Sequence, residues 1–326
     1  MDKIIITGVD GNFGRRAANV ALTKVPKEQL IFTAPRLEPV QDFIDMGIDV
    51  RLADYNDPAG LAKAFEGGKT ILFISMPFVG ERRRNAHKAA IDGAVAAGVE
   101  NIVYTSIVGS GDDACESYEK FDHQYTEGLI FASGMHYKIM RNSQYVEAMV
   151  AAYSEAVNTT GILENNMGEG HMAHVSRDDC AEAAACAACG AGENDRIYYI
   201  SGPTANTISE FIAMANEVTG HDVKYHFVTD EENYAFFDSK GVPRYTDGEW
   251  AEAAKNFPFC SAGMVTFGTA IRNEQMNFCT VDFEYLTGHK PLSVRDVFRD
   301  MEHHQIGART STDTYREDGV DESTKH

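Results

Sequence analysis

The sequence predicts an α/β chain built on a doubly wound parallel sheet. Three observations carry this. A short apolar strand, Ile4 to Ile6, runs straight into a loop with Gly8, Gly11 and Gly14 at intervals of three. Apolar strands and helical stretches alternate through the first half of the chain. Several of those strands are continuous apolar runs, the pattern of strands covered by helices on both faces.

The elements follow in order. Strands are expected at residues 3–7, 30–33, 49–52, 70–75, 102–106 and 137–141. Helices are expected between them at 14–22, 39–46, 58–65, 82–97 and 118–133. Gly47, Gly98 and Gly134 each follow a helix and precede a strand, the place of a left-handed C-cap. After Tyr145 the pattern loosens. Residues 158–173 are rich in Asn, Gly and Met and read as a loop. Residues 175–179 open an alanine-rich helix, 196–201 read as a further sheet strand, and 208–218 as an amphipathic helix closed by Gly220. A strand is expected at 223–228, and the aromatic stretch 231–267 reads as a helical lid or substrate lobe. The expected organisation is a dinucleotide-binding domain over 1–155, with 175–220 returning to it. A smaller C-terminal substrate lobe takes 156–174 and 221–305, and 306–326 form a polar, poorly ordered tail.

Composition narrows the function. A net charge of −20 argues against nucleic acid and anionic membranes, which need clustered Lys and Arg. A phosphorylated small molecule needs only local donors and stays open. No apolar run approaches the roughly 20 residues of a spanning helix. The chain enters its first strand without a signal-peptide pattern, and its six cysteines lack small-domain spacing; both fit reduced thiols in the cytoplasm. Cys186 and Cys189 form a Cys-x-x-Cys on the alanine-rich helix and read as small core residues. No His/Asp/Glu cluster has metal-ligand spacing.

Ligands of such sheets bind outside the carboxyl ends of the strands. At the first end, the glycine loop leads into a helix N-terminus, where backbone N–H groups meet a pyrophosphate. The second end reads Thr33-Ala34-Pro35-Arg36, with no carboxylate before Glu38. The Arg36 guanidinium suits a 2′-phosphate, which favours NADPH, with NADH still possible. At the third end, Asp54 and Tyr55 suit an adenine; Asp54 is equally placed to cap the next helix. Ser75, Met76 and Pro77 end the fourth strand and Thr105 ends the fifth, along the path of the ribose and nicotinamide. Asn142 ends the sixth, and Tyr145 follows it, expected to face the substrate cleft. Asn142, Asn165, Met167 and His171 are candidates for the substrate cleft.

These motifs, in this order, resemble the NmrA-like, atypical short-chain dehydrogenase/reductases, most of all the bacterial NADPH:quinone oxidoreductases. The resemblance rests on Thr7-Gly8-x-x-Gly11-x-x-Gly14, Ala53-Asp54-Tyr55, Val79-Gly80-Glu81-Arg82, Ala97-Gly98-Val99, Tyr104-Thr105-Ser106, His123-x-x-Thr126-Glu127, Arg141-Asn142-x-x-Tyr145 and Val175-Ser176-Arg177-Asp178-Asp179. It implies a Rossmann-like domain with a small C-terminal lobe, and hydride transfer from a nicotinamide. It places Gly8, Gly11, Asn12, Phe13 and Gly14 at the pyrophosphate, Arg36 near the adenosine phosphate, and Asp54 at adenine. It puts Ser75 to Pro77 and Thr105 along the ribose and nicotinamide.

The Tyr-x-x-x-Lys pair of ordinary alcohol chemistry is missing: Tyr118 has Asp122 four residues on, and Tyr125 has Leu129. The resemblance puts His123 where isoflavone- and lignan-type reductases carry lysine. An imidazole titrates near neutrality, so His123 is expected to bind the nicotinamide ribose, to donate a proton to substrate oxygen, or to do both, with Tyr145 the second catalytic candidate. The expected function is NADPH-dependent reduction of a flat conjugated acceptor, a quinone or enone. The alternative is a non-catalytic redox sensor that binds the dinucleotide. An epimerase or alcohol dehydrogenase is disfavoured by the missing pair. The partner is a small molecule, and monomer and dimer both stay open.

Overall fold

A computed structural model describes residues 2–255, 257 and 259–305. The expected polar tail at 306–326 lies outside the described residues. The first half alternates: β1 (Lys3–Ile6), α1 (Asn12–Lys24), β2 (Leu30–Ala34), α2 (Gln41–Asp45), β3 (Asp49–Leu52), α3 (Pro58–Phe65), β4 (Gly68–Phe73), α4 (Glu81–Ala96), β5 (Asn101–Ile107), α5 (Lys120–Ala132) and β6 (His136–Asn142). The second half adds α6 (Val146–Asn158), β7 (Ile162–Asn165), α7 (Arg177–Ala188), β8 (Arg196–Ile200), α8 (Ile208–Thr219), β9 (Lys224–Phe227) and α9 (Asp230–Ser239). It closes with α10 (Ala251–Ala254), α11 (Ser261–Arg272), α12 (Asp282–Thr287) and α13 (Val294–Arg299).

Seven strands form one parallel sheet in the order β3-β2-β1-β4-β5-β6-β8. The order reverses at β1, which lies between β2 and β4. A crevice opens at such a switch point, at the carboxyl ends of the strands. This is the expected doubly wound, Rossmann-like architecture.

Alternation along each strand builds two cores. Ile4, Ile6, Leu30, Phe32, Val103 and Met140 point to the layer of α1 and α7. Ile5, Ile31, Ile71, Phe73, Ile102 and Ile139 point to the layer of α3, α4 and α5. Each such side chain, fully buried, stabilises the fold by about 1.5–3 kcal/mol. The alanines of α7 let it lie against α1. Cys186 is buried among them, and burial pushes the neighbouring Cys189 thiol up to about 11. A third cluster unites Met149, Val150 and Tyr153 of α6 with Phe211 of α8, Ile271 of α11 and Phe298 of α13. So α6, α8, α11 and α13 share one core.

Four elements differ from the sequence expectation. The helix expected at 39–46 shortens, because a 3-10 turn at Glu38–Val40 precedes α2. β4 ends at Phe73 rather than Ser75: the Thr7 and Thr105 hydroxyls accept the amides of Ile74 and Ser75 in place of a ladder partner. The stretch after Tyr145 is the helix α6, its buried face Val146, Met149, Val150 and Tyr153. Within the expected loop at 158–173, β7 pairs in parallel with β9, Leu163 opposite Tyr225. With one buried residue in four, β7 carries too little pattern to read.

Candidate active site

The glycine loop is shaped by two glycines with different tasks. Gly8 adopts φ +62°, a left-handed turn that favours glycine. At Gly14 a Cβ would come 2.0 Å from the Gly8 carbonyl oxygen, so only glycine lets α1 sit this close to the turn. Gly11 is the extended N-cap of α1, and no side chain caps the helix. Its first-turn amides are left for a ligand, and the positive end of the helix dipole favours an anion there.

From this helix end a cleft of about 530 Å³ runs along the ends of β1, β4, β5 and β6. It brings together most of the expected residues: Gly8, Gly11, Asn12, Phe13, Gly14, Asp54, Tyr55, Ser75, Met76, Pro77, Thr105, His123, Asn142, Tyr145 and Met167. Asp54 does not cap α3, whose N-cap is Asp57; its Oδ1 accepts from the backbone and side-chain nitrogens of Asn56. Three expected residues do not line the cleft. Arg36 stands one residue beyond Pro35, which does. Asn165 instead caps a turn, its Oδ1 accepting from the Met167 amide and the Tyr225 hydroxyl. His171 is exposed and bound to Glu274 at 2.7 Å. Both are held instead by distant residues, Tyr225 of β9 and Glu274 just past α11.

The loop after β4 is held by buried acceptors. Thr105 Oγ1 accepts from the Ser75 amide at 2.8 Å, and His87 Nε2 from the Met76 amide at 3.0 Å. His87 Nδ1 in turn donates to Thr126 Oγ1, which itself donates to the Asp122 carbonyl. These bonds fix His87 as a neutral ring, and burial drives its pKa well down.

His123 is 6% exposed at the cleft wall. Its Nε2 faces Nη1 of Arg83 at 3.4 Å, and its Nδ1 lies 2.8 Å from the Tyr104 hydroxyl. A guanidinium can only donate, so Nε2 accepts and the single ring proton sits on Nδ1, given to Tyr104. Burial, then the Arg83 and His87 neighbours, press the His123 pKa well below its ordinary 6.5. This corrects the expectation of a ring that titrates near neutrality and hands its proton to substrate. Tyr145 keeps its phenol protonated, since burial raises its pKa. Its hydroxyl lies 3.4 Å from Asn142 Nδ2.

Sequence reasoning missed Arg83, Glu119, Gln144, Arg177, Met264 and Phe267, all in the lining. Arg83 stands in an Arg-Arg-Arg run that reads as solvated charge. Yet Arg83, Ala86, His87 and Ala90 repeat at helical spacing and are buried, a stripe that marks the inward face of α4. Met264 and Phe267 come from α11, and nothing local in the sequence ties them to the sheet. Asp122 explains how the parts are joined. It accepts from the Gly80 amide and from Arg84, which also reaches Asp247 at 2.6 Å. Behind the cleft, Arg141 and Glu127 form a buried pair at 2.7 Å, and Glu127 also takes the Ser106 hydroxyl.

Buried polar atoms test whether a dinucleotide fits. Arg83 Nε, Asn142 Oδ1, Gln144 Oε1 and Arg177 Nε are buried without a hydrogen-bond partner, and all four residues line this one cleft. Such orphans are costly unless a ligand satisfies them. Together with the uncapped α1, they fit a long polar molecule with an anionic centre.

Residues 8–188 match the model of a family described as NAD(P)H-binding. The chain belongs to this NAD(P)H-binding family. The family read from its motifs and the family matched agree. Quinone oxidoreductase 2 of Escherichia coli (strain K12) is 31% identical over 240 residues, 74% of this chain and 82% of that protein. The solved structure of an Escherichia coli NADPH-dependent quinone oxidoreductase complexed with NADPH is similar at a TM-score of 0.81 and 27% identity, covering 92% of this chain and 99% of that one. A Citrobacter sp. triphenylmethane reductase complexed with NADP(H) is similar at 0.76 and 26%, covering 90% and 98%.

Proposed function

We propose that this protein is an NADPH-dependent reductase of flat conjugated acceptors, quinones or enones. That it is an NAD(P)H-dependent oxidoreductase follows from its family and from relatives named as reductases and quinone oxidoreductases. The acceptor class is our own reading. One observation carries it: the four residues that hold the orphaned polar atoms line the same cleft as the apolar side chains of Met76, Met167, Met264 and Phe267. Polar groups for a dinucleotide and an apolar wall for a flat ring meet in one space.

The residues divide the work. Amides of Asn12, Phe13 and Gly14 meet the pyrophosphate, with Arg177 from α7 as a nearby cation. Asp54, Tyr55 and Asn56 take the adenine side, and Arg36 the adenosine phosphate. The Ser75–Pro77 loop, Thr105, Asn142, Gln144 and Tyr145 orient the other end. When bound, the reduced nicotinamide supplies hydride. The apolar wall excludes water and holds the acceptor flat. His123 holds Arg83 in place at the cleft wall. We place the protein in the cytoplasm, since Cys115, Cys180, Cys186, Cys189, Cys260 and Cys279 are free thiols.

Calorimetry and steady-state oxidation of NADPH with a panel of quinones and enones test this reading. Saturable NADPH binding with multiple turnovers on at least one class is the expected result. Tight binding with no turnover on any acceptor leaves a dinucleotide sensor instead.

A further inference from the structure

Reduction of a carbonyl needs a proton as well as a hydride, and with His123 neutral and doubly bonded, its source lies elsewhere. We propose that Glu119 is the acid of this site: its carboxyl faces the cleft, holds a proton, and gives it to the acceptor oxygen. The inference rests on the quinone or enone reading above.

Glu119 is the N-cap residue of α5, half-buried, and its side chain does not cap the helix. It lines the cleft beside His123 and Arg83 on one side and Gly263, Met264 and Phe267 on the other. A Cβ on Gly263 would lie 3.2 Å from Glu119 Oε1, so the start of α11 closes directly over the carboxyl. None of the described side chains hydrogen-bonds that carboxyl, whereas the adjacent Asp122 is fully engaged. A half-buried carboxylate with no hydrogen-bond donor beside it is costly to keep charged.

The surrounding charges agree. Burial raises the Glu119 pKa, the Asp122 carboxylate on α5 raises it further, and the Arg83 cation on α4 opposes them. His123 adds no charge. From the α11 side Cys260 keeps its thiol, pushed up to about 11. Net, the proton is held more tightly than on a free glutamate, as an acid working near neutrality requires.

The step balances. Bound NADPH would supply the hydride that bonds to the acceptor, and would leave as the oxidised dinucleotide. The π pair moves to the carbonyl oxygen. The Glu119 O–H bond breaks, its electrons stay on the carboxylate, and its proton bonds to that oxygen. The carboxylate regains a proton from solvent before the next turnover.

A triarylmethyl dye cation separates the roles, because it takes up hydride and needs no proton. The test compares wild type, Glu119→Gln and Glu119→Asp with a quinone and with such a dye. Glu119→Gln is expected to lower the ratio of quinone to dye turnover by about tenfold or more, within the range of general acid catalysis. Glu119→Asp should restore part of it, and the alkaline fall of wild-type quinone turnover should vanish in Glu119→Gln. Independently of activity, infrared difference spectra of the cofactor-free chain should show a protonated carboxyl near neutral pH that Glu119→Gln removes. An unchanged ratio, or no such band, overturns the assignment of Glu119. Wild type that reduces the dye but no quinone or enone refutes the acceptor reading, and this proposal with it.

Discussion

His123 Nδ1 lies 2.8 Å from the Tyr104 hydroxyl while its Nε2 faces the Arg83 guanidinium. Both nitrogens are committed to the protein. The ring is therefore a strut between β5 and α4. We predict that nitrogen NMR finds it neutral across roughly pH 5 to 8, the range in which a free imidazole titrates. His123→Ala should lower turnover by loosening Arg83, yet remove no inflection from the pH–rate profile. A His123 titration midpoint near 6.5 would contradict this.

His174 contributes to the loss of stability in acid. It is 2% exposed, tilted against Phe211 at 5.0 Å, and burial lowers its pKa from 6.5 to about 4. Below 6.5 the unfolded chain binds this proton and the folded chain does not. Stability is thus fully present above 6.5 and lost as pH falls towards 4, with ~3 kcal/mol from this one group. His87 and His123 act with the same sign. Urea denaturation of His174→Phe should show a shallower loss of stability over that window than wild type. Parallel curves would remove His174 from the explanation.

Gly14 binds the fold to the site. In Gly14→Ala the new methyl meets the Gly8 carbonyl, a backbone atom that cannot swing aside. Helix α1 must lift from the turn. The expected cost is about 1–3 kcal/mol of stability, with NADPH affinity reduced by at least about tenfold. Calorimetry on the folded variant decides it. Unchanged affinity would mean that the helix end does not contact the dinucleotide.

Arg36 carries cofactor preference in our reading. NADPH should bind about tenfold more tightly than NADH, worth ~1.4 kcal/mol, modest for one charge-assisted phosphate contact. Arg36→Ala should bring the two affinities together. Equal affinities in wild type, or an unchanged preference in the variant, would move the 2′-phosphate elsewhere.

The sequence reveals those parts of the site whose chemistry is local. The run into Gly8, Gly11 and Gly14 announces a strand, a turn and a helix start within a dozen residues. Thr105 and Asn142 are legible because each lies at the end of a largely apolar strand, and Tyr145 because it follows the sixth strand closely. Glu119 and Arg83 are not, because residues distant in sequence set their surroundings: Gly263 of α11 beside Glu119, and His123 and Asp122 of α5 beside Arg83. Asn165 and His171 mislead for the same reason. Their polar loop looks like a cleft edge, while Tyr225 and Glu274, distant in sequence, take up their polar groups. His123 is legible in position but not in state: only its contacts with Tyr104 and Arg83 reveal a neutral ring.

The central claim is hydride transfer within this cleft. Its most direct measurement is anaerobic single turnover with NADPH deuterated at the transferring carbon and an enone acceptor. Nicotinamide absorbance is expected to fall at a rate slowed by the deuterium, and the reduced product to carry one deuterium. Full binding of NADPH with no oxidation, or a reduced product free of deuterium, would contradict it.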